Sequence, residues 1–99
     1  MKRHLPLSKL VTIFFPSIIS KQIGVKKVAV AAKTLREALD RVAEIYGNRV
    51  NEMMFEESGG LNRFLIVALN GRMIPTAEIL TTPLEEYDEV AILVVIGGG

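Results

Sequence analysis

Cysteine is absent from all 99 residues. That removes disulfides, thiolate nucleophiles and cysteine-built zinc or iron–sulfur sites together. Tryptophan is also missing, and His4 is the single histidine. Neither a histidine-built metal site nor a Cys/His or Ser/His/Asp catalytic set is expected from so little material. No apolar stretch approaches the roughly 20 residues needed to cross a bilayer, so no membrane partner is expected. Met1-Lys2-Arg3-His4, followed by the apolar residues Leu10 to Phe15, resembles a secretory signal only in outline. Pro16 breaks the run, and Lys21, Lys26 and Lys27 separate it from the small-residue site Ala29-Val30-Ala31. The expected location is cytoplasmic.

What remains is an ordinary globular composition, 49% hydrophobic and 23% charged, far from that of a disordered chain. A chain of this length is one domain that buries about 60–65% of its unfolded surface. Net charge is only +1, but it is unevenly spread: residues 1–50 carry +7 and residues 51–99 carry −6. The plain interpretation is solvated faces; the sharper one is a polarised surface that orients the molecule on a partner. The basic half has no recognised nucleic-acid motif and no aromatic stacking platform, so no nucleic-acid partner is expected.

Local patterns define the elements. Residues 8–15 are β-branched and aromatic and stop at Pro16, which predicts a strand with Val11, Ile13 and Phe15 on one face. Residues 17–25 read as a connection turned by Gly24. Lys26 to Ala32 predicts a second strand, antiparallel to the first. Thr34 and Glu37 form a T-x-x-E capping box. Behind it, Leu35, Ala38, Leu39, Val42, Ile45 and Tyr46 follow helical spacing until Gly47-Asn48. Residues 51–57 fit either a helical turn or a loop packed by Met53, Met54 and Phe55.

Arg63 to Asn70 predicts a third strand, and Asn70-Gly71 is a strong hairpin signal. Arg72 to Pro75 is then a short fourth strand, confined to an edge by Pro75. A turn-rich acidic connection from Thr81 to Asp88 leads to the last strand, Glu89 to Ile96. Val90, Ile92 and Val94 make its expected buried set. Leu93 and Val95 are expected on the open face as a partner-docking patch, unless residues 51–57 or the N-terminal segment cover them. One helix packed on a mixed sheet of about five strands is an α+β, β-grasp (ubiquitin-like) arrangement, with the last strand parallel to the first. Residues 1–7 are an N-terminal extension, 8–96 the β-grasp domain and 97–99 a C-terminal glycine tail.

That tail, Gly97-Gly98-Gly99, adds nothing to a fold, because glycine loses the most conformational entropy on ordering. It offers instead a slim thread bearing a carboxylate, able to enter a channel too narrow for side chains. Acid pairs such as Glu56-Glu57 and Glu85-Glu86 read as solvated loop charges, and Gly59-Gly60 lacks the spacing and lysine of a phosphate loop. The residues therefore point away from an enzyme acting alone.

Several landmarks occur in order: Phe14-Phe15, the Thr34–Glu37 helix start with Leu35 and Leu39, Ala68-Leu69-Asn70-Gly71-Arg72, Thr82-Pro83-Leu84, Asp88-Glu89-Val90-Ala91-Ile92 and Gly98-Gly99. Together they resemble the MoaD/ThiS ubiquitin-like sulfur carriers, most of all MoaD, the molybdopterin synthase small subunit. The likeness spans roughly residues 8–99. It differs before the tail, where Gly97 takes the place of a Ser or Ala and Leu93-Val94-Val95-Ile96 replaces a proline-containing stretch.

The resemblance implies that an adenylating activating enzyme uses ATP on Gly99, with no cofactor bound by the chain itself. The carboxylate then becomes a thiocarboxylate, which donates sulfur inside a MoaE-like molybdopterin synthase large subunit during molybdenum cofactor synthesis. Gly99 would be the reacting residue, with Gly97 and Gly98 lying in the partner's channel. Alternative expectations are a thiazole-pathway sulfur carrier, a modifier joined to lysines through Gly99, or a plain interaction domain.

Overall fold

Alternation of buried and solvent-facing positions sets the first strand. In the computed structural model, which describes residues 9–95, β1 (Lys9–Phe14) buries Val11 and Ile13. Leu10, Thr12 and Phe14 necessarily occupy its other face. β2 (Lys27–Ala32) pairs with it antiparallel, in the register Val11↔Val30 and Ile13↔Val28. The expected extension over residues 1–7 and the tail over 97–99 lie outside the described residues.

Between these strands the expected plain connection is a helix, α1 (Ser17–Ile23). Its two turns are too short for a periodic pattern, and its isoleucines read equally well as strand. Its punctuation is legible in retrospect. Pro16 precedes the first turn, and Gly24, at φ 82°, closes the last with its amide bonded to the Ser20 carbonyl. Ile19 is its one buried residue and enters the common core.

α2 (Leu35–Tyr46) begins where expected. The Thr34 hydroxyl accepts from the Glu37 amide at 3.2 Å, while the Glu37 carboxylate accepts from the Lys33 amide at 2.6 Å. The box is thus closed one residue before the cap, not on the cap itself. Leu35, Ala38, Leu39 and Val42 are fully buried, and a fully buried Leu or Val contributes roughly 1.5–3 kcal/mol. Ile45, expected on the same face, is 54% exposed. It sits at the margin of the apolar stripe, where the neighbouring position Tyr46 instead packs its ring edge-on to Phe15 at 6.0 Å.

Gly47, at φ 93°, breaks the axis, and a further helix α3 (Asn48–Met54) follows at once. It settles the ambiguous 51–57 stretch as mostly helical, with Val50 and Met54 in the core. β3 (Leu65–Leu69) then runs into the Asn70-Gly71 turn, where both residues have positive φ, 51° and 85°. That is the type I′ geometry whose twist matches a hairpin. β4 is only Arg72–Met73, shorter than expected, and a 3-10 segment (Thr76–Thr81) follows Pro75.

β5 (Glu89–Val94) closes the sheet in the order β2-β1-β5-β3-β4. It lies parallel to β1 and antiparallel to β3, so it is the central strand. All three helices contribute to one core on one face of this mixed sheet. This is the expected β-grasp arrangement, with two short helices added to the single helix foreseen.

Candidate tail root and partner surface

The strand that leads to the glycines is held along both flanks. Register pairs Ile13↔Val90 and Phe14↔Ala91 tie it to β1, and five pairs from Leu65↔Val94 to Leu69↔Val90 tie it to β3. One further backbone bond, from the Val95 amide to the Phe64 carbonyl at 2.7 Å, continues the pairing beyond the strand's end. The direction in which the chain leaves the sheet is therefore fixed up to Val95.

Val90 and Ile92 are buried and Val94 is half-buried, as alternation requires. Leu93 is 45% exposed and Val95 is 40% exposed. No described helix covers Leu93, which stands opposite Ile66 on the open face. Beside this pair, a row across the sheet joins Phe14, Ala91, Ala68 and Met73.

Val95, expected with Leu93 on the open face, lies on the helix side instead, because it is past the end of β5 and the strand's alternation no longer holds. Together with Val94 it lines a groove of about 320 Å³ on the helix side, whose other walls are Ile18, Ile19, Met53, Asn62, Phe64 and Leu65. Ile18 is 59% exposed and Phe64 55%, which leaves apolar surface at the point where the chain departs. The sequence did not single out Ile18 or Phe64. Ile18 belongs to the unrecognised α1, and Phe64 was absorbed into the expected third strand.

Gly97, Gly98 and Gly99 lie outside the described residues. Among the described residues no polar or charged side chain is buried. Among the described residues no cluster of three His, Asp or Glu residues is placed to hold a metal ion, and no described helix is long and apolar enough to cross a membrane.

A family model described as the ThiS family matches residues 15–99, which is most of the chain and runs through the terminal glycines. The chain belongs to the ThiS family. No curated protein sequence matches this ThiS-family chain, but solved structures do. The solution structure of small archaeal modifier protein 1 from Methanosarcina acetivorans is similar at 21% identity and a TM-score of 0.80, covering 93% of this chain and 98% of that one. A chain in the BexX/CysO complex of Amycolatopsis orientalis is similar at 27% identity and a TM-score of 0.75, with 90% and 99% covered. A putative molybdopterin converting factor subunit 1 from Pyrococcus furiosus shares 16% identity and a TM-score of 0.66, with 90% and 100% covered.

This ThiS-family protein thus has a ubiquitin-like β-grasp fold.

Proposed function

We propose that this chain is a sulfur carrier whose Gly99 carboxylate is activated and converted to a thiocarboxylate. The supporting observation is the position of the glycines. The family match runs through Gly99, four residues beyond the end of a β5 that β1 pairs as far as Ala91 and that β3 and the Phe64 carbonyl hold through Val95.

The chemistry requires little from this domain. A carboxylate is a poor electrophile until it is joined to a good leaving group. Attack of a Gly99 oxygen on the α-phosphorus of ATP forms the acyl-adenylate and releases pyrophosphate. A sulfide equivalent then attacks the carbonyl carbon and AMP departs, leaving the thiocarboxylate. The groups that bind ATP and deliver sulfur belong to the partner. This chain contributes reach through Gly97 and Gly98, and a rigid base at Val95.

For the sulfur acceptor we propose a pterin precursor, held by a MoaE-like large subunit in molybdenum cofactor synthesis. The residue likeness to MoaD and the similarity to the Pyrococcus furiosus protein support this acceptor. A second reading, conjugation of Gly99 to lysine amines, is favoured by the likeness to small archaeal modifier protein 1.

Intact mass after incubation with ATP, the activating enzyme and a sulfur donor separates the two readings. A gain of about 16 Da, oxygen replaced by sulfur at the activated carboxyl group, supports the carrier. Ladders of heavier lysine conjugates without that gain support the modifier. Neither product would sink the assignment of Gly99.

A further inference from the structure

We propose that the partner which takes up the C-terminal glycines grips this chain on the helix side of β5, seating an apolar side chain in the Ile18–Phe64–Val95 groove and setting an acidic rim against Lys21 and Arg49. The inference rests on the reading of Gly99 as the working residue. It adds where the partner holds the domain and with what chemistry.

Three observations carry it. The groove lies where the chain leaves the sheet, since Val94 and Val95 form one of its walls. A partner that draws in residues 97–99 must abut this end of the molecule. Secondly, the groove is continuous with a larger depression of about 780 Å³ between α1 and α3, because Ile18 and Met53 line both. That second depression is polar and mostly basic: Lys21 and Arg49 line it, with Glu52 as its single acid. Neither Lys21 nor Arg49 forms an ion pair among the described residues.

Thirdly, the opposite end of the sheet carries the reverse charge. Glu85, Glu86, Asp88 and Glu89 gather at the start of β5, about 17 Å from its end by the rise of a strand. A molecule polarised in this way approaches an acidic surface tail first. Two copies related by a two-fold axis through this face would set like charges together, which disfavours self-association as its use.

The test is ATP–pyrophosphate exchange with the cognate activating enzyme, measured against the concentration of this chain. The variants are Ile18→Ser, the double reversal Lys21→Glu/Arg49→Glu, and Arg72→Glu, a single charge reversal at the far end. Circular dichroism melts confirm that each is folded. The double reversal is expected to raise KM for the chain about tenfold at unchanged kcat and to flatten its salt dependence. Ile18→Ser should raise KM as well, and Arg72→Glu should leave it within about twofold.

Unchanged KM in both groove variants, with wild-type exchange intact, overturns the docking surface alone. A wild-type dimer that involves this groove in sedimentation does the same. No exchange by the wild type overturns the reading of Gly99 and this inference with it.

Discussion

Asn70 and Asp88 are joined side chain to side chain, the Asn70 amide donating to the Asp88 carboxylate at 2.8 Å. The same Asn70 side chain accepts from the Glu89 amide at 2.8 Å, and its backbone amide donates to the Glu89 carbonyl at 2.8 Å. One turn residue, already suited to φ 51°, thus ties the β3–β4 hairpin to the start of the central strand. Asn70→Ala loses both the side-chain bonds and the left-handed tolerance of asparagine. It should cost about 1–3 kcal/mol in urea unfolding. A loss below about 0.3 kcal/mol would show that water replaces both bonds at no net cost.

The α2 face gives a paired prediction. Leu39 is fully buried while Ile45, on the same nominal stripe, is largely exposed. Leu39→Ala should destabilise by about 2–5 kcal/mol, and Ile45→Gln should stay within about 0.5 kcal/mol of wild type. Equal effects on the denaturation midpoint would contradict the packing described.

Arg36 fastens the 55–60 loop to α2. Its guanidinium donates to the Gly59 carbonyl at 2.9 Å, lies 4.7 Å from the centre of the Phe55 ring and pairs with Asp40 at 3.3 Å. A planar fork is needed to serve a carbonyl, a ring face and a carboxylate together. Arg36→Lys should therefore fail to rescue the loss seen in Arg36→Ala. The measurement is hydrogen exchange at the Glu56 and Gly59 amides, which bond to Gly60 and Glu56 within this loop. Both variants should speed that exchange, and protection restored by lysine would contradict the role given to the fork.

Removing Gly99 separates fold from function. Residue 99 lies four positions past Val95, the last residue described in the sheet's hydrogen bonding. The truncated chain should melt with the wild type and yet give no thiocarboxylate and no conjugate. Activity equal to wild type would mean that the terminal glycine is not the reacting group.

Much of the architecture was legible because its signals are local and redundant. The Thr34–Glu37 box and the Asn70-Gly71 turn each have one physical meaning, and the unbroken apolar run from Val90 marks a strand, although not what covers its second face. The parallel placement of β5 beside β1 followed from crossover handedness. The short helices were harder. α1 and α3 each span two turns, and they are held by tertiary burial of Ile19, Val50 and Met54, not by a periodic pattern.

The candidate partner surface was half legible for the same reason. The exposure of Leu93 could be expected from the alternation of β5, whereas Val95, past the strand's end, turns to the helix side. The groove beside Val95 could not be expected, because its walls come from α1, α3 and the approach to β3, which meet only in the folded chain.

The placement of β5 has a mechanical consequence. A load applied at the C-terminus is directed along the central strand and shared between the β1 and β3 ladders on either side. The bonds of both ladders are then strained together in shear, instead of opening one at a time as at a sheet's edge. A partner can draw the thread taut, or let it go, with little risk of unravelling the domain that carries it.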